Sequence, residues 1–218
     1  MMTQVFFAEL STANTVTIGE LMELVPPDRQ RELAALASDP DRKLGLYAEL
    51  LVRSQINESL GLGNDRIVFE KQEHGKPYLK GNPEFYFSLS HTKNAIAAAF
   101  SECEVGVDLE RVKAIDCRVA KRAFSPKEQT HVLSHQNKDL AFYEVWTRKE
   151  AYLKWTGTGL SAPLNSFDTY DAENSDRIYT REAGAYVLSV CCESIVSKAP
   201  ALILLTESDL YSHFKRLG

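Results

Sequence analysis

The chain is 218 residues long, with hydrophobic residues at 44%, charged residues at 25% and a formal net charge of −5. That length and apolar share allow one large domain or two small ones around a real core, and the acidic balance argues against broad binding to nucleic acid or to an anionic membrane. Four cysteines, Cys103, Cys117, Cys191 and Cys192, show no zinc-ligand spacing, so they read as reduced thiols of a cytosolic protein.

The first residues carry neither the basic stretch nor the apolar run of an export signal, and nowhere does an apolar run approach the ~18 residues of a membrane span. Residues 4–10 read as a strand. Pro26-Pro27 opens a helical segment from about Asp28 to Leu60, which Asp39-Pro40-Asp41 splits into two helices. Gly61 and Gly63 end the second. A strand is expected at IVFEK (67–71), followed by a turn on His74-Gly75-Lys76-Pro77. FYFSLSHT, AIAAAF and VGVDLE, between residues 85 and 110, read as consecutive strands. A helical segment is expected at 116–123, and Ser125-Pro126-Lys127-Glu128 has the form of an N-cap, a proline at the first helical position and a first-turn acid. The next helix runs from about Lys138 to Trp155 and ends at Gly157 and Gly159. SFDTYD, AYVLSVCC and ALILLT read as strands. Each half therefore offers a helix, a glycine-bearing loop and a set of strands. The expected fold is α+β, with two similar α/β lobes at 1–110 and 111–218 and a ligand cleft between them.

Residues two apart on a strand share a face, so Asp108 and Glu110 present paired carboxylates. Crowded like charges call for a cation. Magnesium typically takes one or two carboxylates and completes its shell with water and phosphate oxygens. Gly106 beside them would let a bulky ligand approach the backbone. Alone, this pattern also fits a solvated strand end. On the following helix Glu150 and Lys154 are i, i+4, with Trp146 on the same stripe. The acid could join the metal and the ammonium a phosphate, although a surface ion pair beside a core tryptophan has the same spacing. His91, in Ser90-His91-Thr92, could donate to a phosphate, and Lys76 beside a rigid proline turn could frame a base or a phosphate. Arg29, Arg31, Arg42 and Lys43 read either as a phosphate rim or as solvated helix faces. His131 and His135 are i, i+4 with no third ligand apparent, so no zinc site is expected.

Taken in order, GKPY, FSLSHT, GVDLE, FSPKE, WTRKEAYLK and GTGL resemble the 4′-phosphopantetheinyl transferases of the surfactin-synthetase type, over residues 20–168. That family's two signature blocks, G-[VI]-D-[VIL]-E and W-x-x-K-E-[AS]-x-x-K, are both met, at Gly106–Glu110 and Trp146–Lys154. The resemblance implies two lobes folded as a pseudo-dimer within one chain. It implies transfer of phosphopantetheine from coenzyme A to a serine of an apo acyl or peptidyl carrier protein, leaving adenosine 3′,5′-bisphosphate. Magnesium is the implied metal, with manganese a substitute, and the pathway is fatty-acid, polyketide or non-ribosomal peptide synthesis.

Carried over by residue, the resemblance gives Asp108, Glu110 and Glu150 to the metal, and Asp108, Glu150 and Lys154 to catalysis. Lys154 would sit at the pyrophosphate, with Lys149 adding charge nearby. Ser90 and His91 would touch a coenzyme A phosphate, Gly75, Lys76 and Pro77 would border the adenine, and Arg29 would reach the nucleotide's phosphates. Leu44 stands where the family often has a base, which leaves that contact to Arg42 or Lys43. A chain that completes its own cleft is expected to act as a cytoplasmic monomer, without nucleic acid or membrane partners. Arg111, Lys113, Arg118, Lys121, Arg122 and Phe124 form a candidate docking patch for an acidic carrier, or an ordinary amphipathic segment. Two rivals use the same residues: a magnesium-dependent hydrolase of nucleotides or pyrophosphates, and a non-catalytic coenzyme A-binding module. The presence of Asp108, Glu110, Glu150 and Lys154 together argues against the second.

Overall fold

The computed structural model describes residues 3–11, 18–116, 118–159, 163–193 and 199–218. The first half forms β1 (Gln4–Glu9), α1 (Ile18–Met22), α2 (Pro27–Ala34), α3 (Asp39–Leu60), β2 (Phe69–Lys71), β3 (Pro77–Leu79), β4 (Tyr86–Thr92), β5 (Ala95–Ser101) and β6 (Val105–Arg111). The second forms α4 (Ala120–Ala123), α5 (Pro126–Ser134), α6 (Lys138–Thr156), α7 (Ala172–Ser175), β7 (Ile178–Ala183), β8 (Tyr186–Cys192), β9 (Ala201–Leu205) and α8 (Glu207–Phe214).

Alternation along β5 and β1 dictates the layers. Ile96, Ala98 and Phe100 join the core under α3, together with Leu51 and Ile56. Ala95, Ala97 and Ala99 point the other way, against Val105, Val107, Leu109, Leu188 and Val190. β1 divides in the same manner, with Phe6 and Ala8 toward α3 and Val5 and Phe7 toward the second group. Strands covered on both faces read as near-continuous apolar runs, which is why AIAAAF shows no polar alternation. Ala95, Ala97 and Ala99 are the short side chains at the interface between two sheets, ordered β4-β5-β1-β9 and β6-β8-β7. The outer face of the second sheet meets α6: Cys191 packs with Ala151, and Ser189 Oγ lies 2.8 Å from Thr147 Oγ1. The sequence of layers is α3, sheet, sheet, α6, which makes two α/β lobes back to back.

Sheet membership moves the lobe boundary expected at 110/111. β6 pairs antiparallel with β8 from Val105 to Arg111, so the strand bearing Asp108 and Glu110 belongs to the second sheet. The chain then returns: β9 pairs parallel with β1, and Leu210 and Phe214 of α8 bury in the core under α3. Gly106 also differs from expectation. A Cβ there would stand 2.0 Å from Ala151 O and 2.4 Å from Trp155 N, so the group that approaches this glycine is the α6 backbone and not a ligand.

Other local expectations divide along physical lines. Ser38 caps α3 through Asp41 N, Gly61 ends it in the left-handed region at φ 64°, and Ser125 and Glu128 form a reciprocal capping box on α5. SFDTYD, expected as a strand, is irregular after a 3-10 turn at Leu164–Ser166, because its polar side chains serve the local backbone: Asp168 Oδ1 accepts from Tyr170 N at 2.7 Å. The helix expected at 116–123 is helical only from Ala120. Cys103 and Cys191 are free thiols, while Cys117 and Leu160 of the GTGL block lie outside the described residues. Among the described residues no helix is long and apolar enough to cross a membrane.

Candidate active site

The close approach at Gly106 sets the register of α6 on β6. It brings Lys154 Nζ to 2.7 Å from Asp108 Oδ1, with Glu150 one turn earlier on the same helix. Burial, and next the charge of Asp108, raise the proton affinity of Glu150; Lys154 opposes this and Glu110 adds to it. Burial is also the main cause of the raised proton affinity of Glu110, opposed by a hydrogen bond from Thr92 and reinforced by Asp108.

β4 lies along the open edge of β6 and meets it through hydroxyl groups. Ser88 Oγ accepts from Val107 N at 3.1 Å. Ser90 Oγ accepts from Leu109 N at 3.3 Å and donates to Asp108 Oδ1 at 2.9 Å. Thr92 Oγ1 donates to Glu110 Oε2 at 3.0 Å. Ser90, expected at a coenzyme A phosphate, is therefore engaged with the Asp108 carboxylate and the β6 backbone.

Two observations test whether these residues suit a divalent cation. Asp108 Oδ2 is buried with no hydrogen-bond partner, an uncommon state for a carboxylate oxygen. Three carboxylates close enough to perturb one another face only the Lys154 ammonium among the charges that shift Glu150. Among the described residues no three such groups already converge as a ready cluster. Lys154 occupies Asp108 Oδ1 instead, and magnesium needs only one or two carboxylates beside water and phosphate oxygens. The donor set fits.

A cavity of ≈ 240 Å³ opens beside Glu150, lined by Gly75, Lys76, Pro77 and Ser88 on one side and by Glu150, Leu153 and Lys154 of α6 on the other. Gly75 adopts φ 88°, a left-handed turn that favours glycine. Lys76 Nζ binds Glu104 Oε2 at 2.5 Å and Val105 O at 3.1 Å, fastening this turn to the start of β6. His91 stands exposed at the strand end. The protein mass behind it, and then the Lys154 charge, lower the proton affinity of its imidazole. His91, Thr92 and Lys93 line a second depression with Pro40, Asp41 and Leu44.

The remaining basic candidates have protein partners. Arg29 binds Glu49 and Glu32 at 2.5 and 2.8 Å, and its field still reaches His91. Arg42 holds Asp39 at 2.7 Å and the Leu36 carbonyl. Lys43 is buried, with Nζ 2.5 Å from Glu207 and 3.1 Å from Ser11 O, so it fastens α8 to α3 while bordering a small depression with Leu10, Asp39, Pro40 and Leu44. Lys149 is the clearest correction. Its side chain is 0% exposed, 2.8 Å from the equally buried Glu128, and it donates to Leu164 O and Phe167 O at 2.7 Å. It points to the far side of α6 from Glu150 and Lys154. Phe124 of the suggested docking patch is also a core residue.

Sequence reasoning gave no role to Ser88 or Thr92. The signal for both was present: Ser88, Ser90 and Thr92 alternate on β4 opposite an alternating Asp108 and Glu110.

Two family models match the chain: "4′-phosphopantetheinyl transferase, N-terminal" over residues 13–103 and "4′-phosphopantetheinyl transferase superfamily" over residues 104–202. The chain is 32% identical over 185 residues to the 4′-phosphopantetheinyl transferase psf-1 of Bacillus pumilus, covering 78% of this chain and 79% of that protein. It is 33% identical over 148 residues to the 4′-phosphopantetheinyl transferase Sfp of Bacillus subtilis (strain 168), covering 67% and 66%. To the 4′-phosphopantetheinyl transferase gsp of Aneurinibacillus migulanus it is 34% identical over 145 residues, covering 66% and 60%.

Proposed function

This chain belongs to the 4′-phosphopantetheinyl transferase family, and from that premise we propose that it moves phosphopantetheine from coenzyme A to a serine of an apo acyl or peptidyl carrier protein, releasing adenosine 3′,5′-bisphosphate, with Asp108, Glu110 and Glu150 holding magnesium. The observation that carries the metal reading is the buried, unpartnered Asp108 Oδ2. The nucleotide end of coenzyme A would lie along the cavity bordered by Gly75, Lys76 and Pro77 and ending at Glu150 and Lys154.

The reaction displaces a charged leaving group at the β-phosphorus of the pyrophosphate. Magnesium, when bound, supplies charge neutralisation at the phosphate oxygens. Lys154 turns from Asp108 to the pyrophosphate and neutralises charge that develops on the departing bisphosphate. Glu150 takes the carrier serine's proton, a role that typically supplies about 10²–10⁴-fold. His91 donates to a phosphate from the strand end, and Arg29 adds positive field on that side.

Intact mass spectrometry of apo acyl and peptidyl carriers, incubated with this chain, coenzyme A and magnesium, tests the proposal. A gain of one phosphopantetheine, lost on chelation or on replacing the carrier serine, is expected. No gain on any carrier, with a folded chain that binds coenzyme A, would overturn it; coenzyme A cleavage without carrier modification would favour a hydrolase.

A further inference from the structure

β4 and β6 belong to different sheets, and the edge between them is closed by three hydroxyls spaced two apart. Ser88 and Ser90 accept the β6 amide protons of Val107 and Leu109. At Thr92 the hydroxyl proton goes to a carboxylate, Glu110 Oε2, at 3.0 Å. Ser90 repeats that donation one step earlier, to Asp108 Oδ1. One oxygen of each carboxylate is thus held from the opposite lobe, and in Asp108 the other oxygen is buried and without a partner. Threonine adds stiffness, because branching at Cβ restricts χ1 and keeps the donor aimed.

We propose that Thr92 is a positioning residue: by fixing Glu110 Oε2 from the first lobe, it presents the remaining oxygen of Glu110 beside Asp108 Oδ2 to one divalent cation. This rests on the reading that Asp108 and Glu110 hold a divalent cation. Groups that orient metal ligands from outside the coordination shell typically change metal affinity by about 10–100-fold when removed. Thr92 ties this effect to the seam between the sheets, since its strand and the ligand's strand lie in different sheets. A shift of β4 against β6 loosens the cation site without touching a ligand.

Mn²⁺ binding to the full chain with coenzyme A, read from the free Mn²⁺ signal in electron paramagnetic resonance, tests the inference. Thr92→Val keeps the side-chain shape and removes the donor; Mn²⁺ affinity is expected to fall about tenfold, and Thr92→Ser to restore it. In the transfer assay the same substitution raises the half-saturating metal concentration, and the rate recovers at saturating Mn²⁺. Glu110→Gln separates the two readings. If it binds Mn²⁺ as the unaltered chain does, the metal assignment fails and this inference with it. If Glu110→Gln weakens binding and Thr92→Val does not, the metal assignment stands and the positioning role is overturned. A weakening in Thr92→Val that only tracks a loss of folded protein by circular dichroism overturns it as well.

Discussion

Gly106 and Ala151 touch backbone to backbone: a Cβ on the glycine would meet the Ala151 carbonyl oxygen at 2.0 Å and the Trp155 amide nitrogen at 2.4 Å. Neither obstacle is the end of a flexible side chain, so Gly106→Ala must lift α6 off β6 by about an ångström. Glu150 and Lys154 ride on that helix. Overpacking of this kind costs about 1–3 kcal/mol or more, and a misplacement of that size at a reacting centre can cost ~10²-fold in rate. Melting curves and transfer rates of Gly106→Ala check this. A variant with an unchanged melting point and rate would mean that β6 and α6 slide freely.

The Lys149–Glu128 pair makes a prediction opposite to that of a nucleotide contact. Both side chains are 0% exposed. Glu128 also accepts from Ser125 N and from Thr169 N and Oγ1, while Lys149 holds the carbonyls of Leu164 and Phe167. Breaking a buried pair by removing one partner typically costs about 3–5 kcal/mol. Lys149→Met should therefore lower stability strongly in denaturant titrations while the folded fraction keeps its KM for coenzyme A. A raised KM at unchanged stability would return Lys149 to the nucleotide.

These two residues show where the sequence was legible and where it was not. The long helices, the carboxylate strand and the Glu150–Lys154 stripe follow from local rules, because period, capping and proline position are local properties. The direction in which Lys149 points depends on what covers the far side of α6, and that cover is the irregular 163–169 segment, which a strand pattern misrepresents. The partner of Lys43 was hidden for the same reason. Glu207 arrives from the far end of the chain on a helix absent from the expected elements, after β9 has returned to the first sheet. Gly106 was singled out as a place of close approach, but only the packed structure shows that the visitor is α6.

The raised proton affinity of Glu150 has a consequence for stability that needs no metal. Its carboxyl holds a proton more tightly folded than unfolded, chiefly because of burial and then Asp108. As pH rises above the ordinary glutamate value of 4.5, the unfolded chain ionises first, so stability is lost through the window up to the folded value. Glu150→Gln removes that titration. In metal-free buffer the substituted chain should gain in melting temperature relative to the original as pH increases through this window. A difference independent of pH would show that Glu150 ionises as readily in the fold as in water.

Lys154 is the near cation of Asp108 in the metal-free chain, at 2.7 Å from Oδ1, while Oδ2 has no partner. Lys154→Met should leave the aspartate's charge supported only by the Ser90 hydroxyl. Stability then falls without metal, and Mn²⁺ should raise the melting temperature of the variant more than that of the original chain, because the ion no longer competes with an ammonium. Catalysis responds differently. A group that acts on the leaving bisphosphate contributes in the transition state, and removing such a donor typically costs about 10²–10³-fold in kcat. The transfer assay at saturating metal should show that loss in kcat with a smaller change in KM for coenzyme A. Equal losses in coenzyme A affinity and in kcat/KM, with kcat preserved, would instead make Lys154 a ground-state phosphate contact.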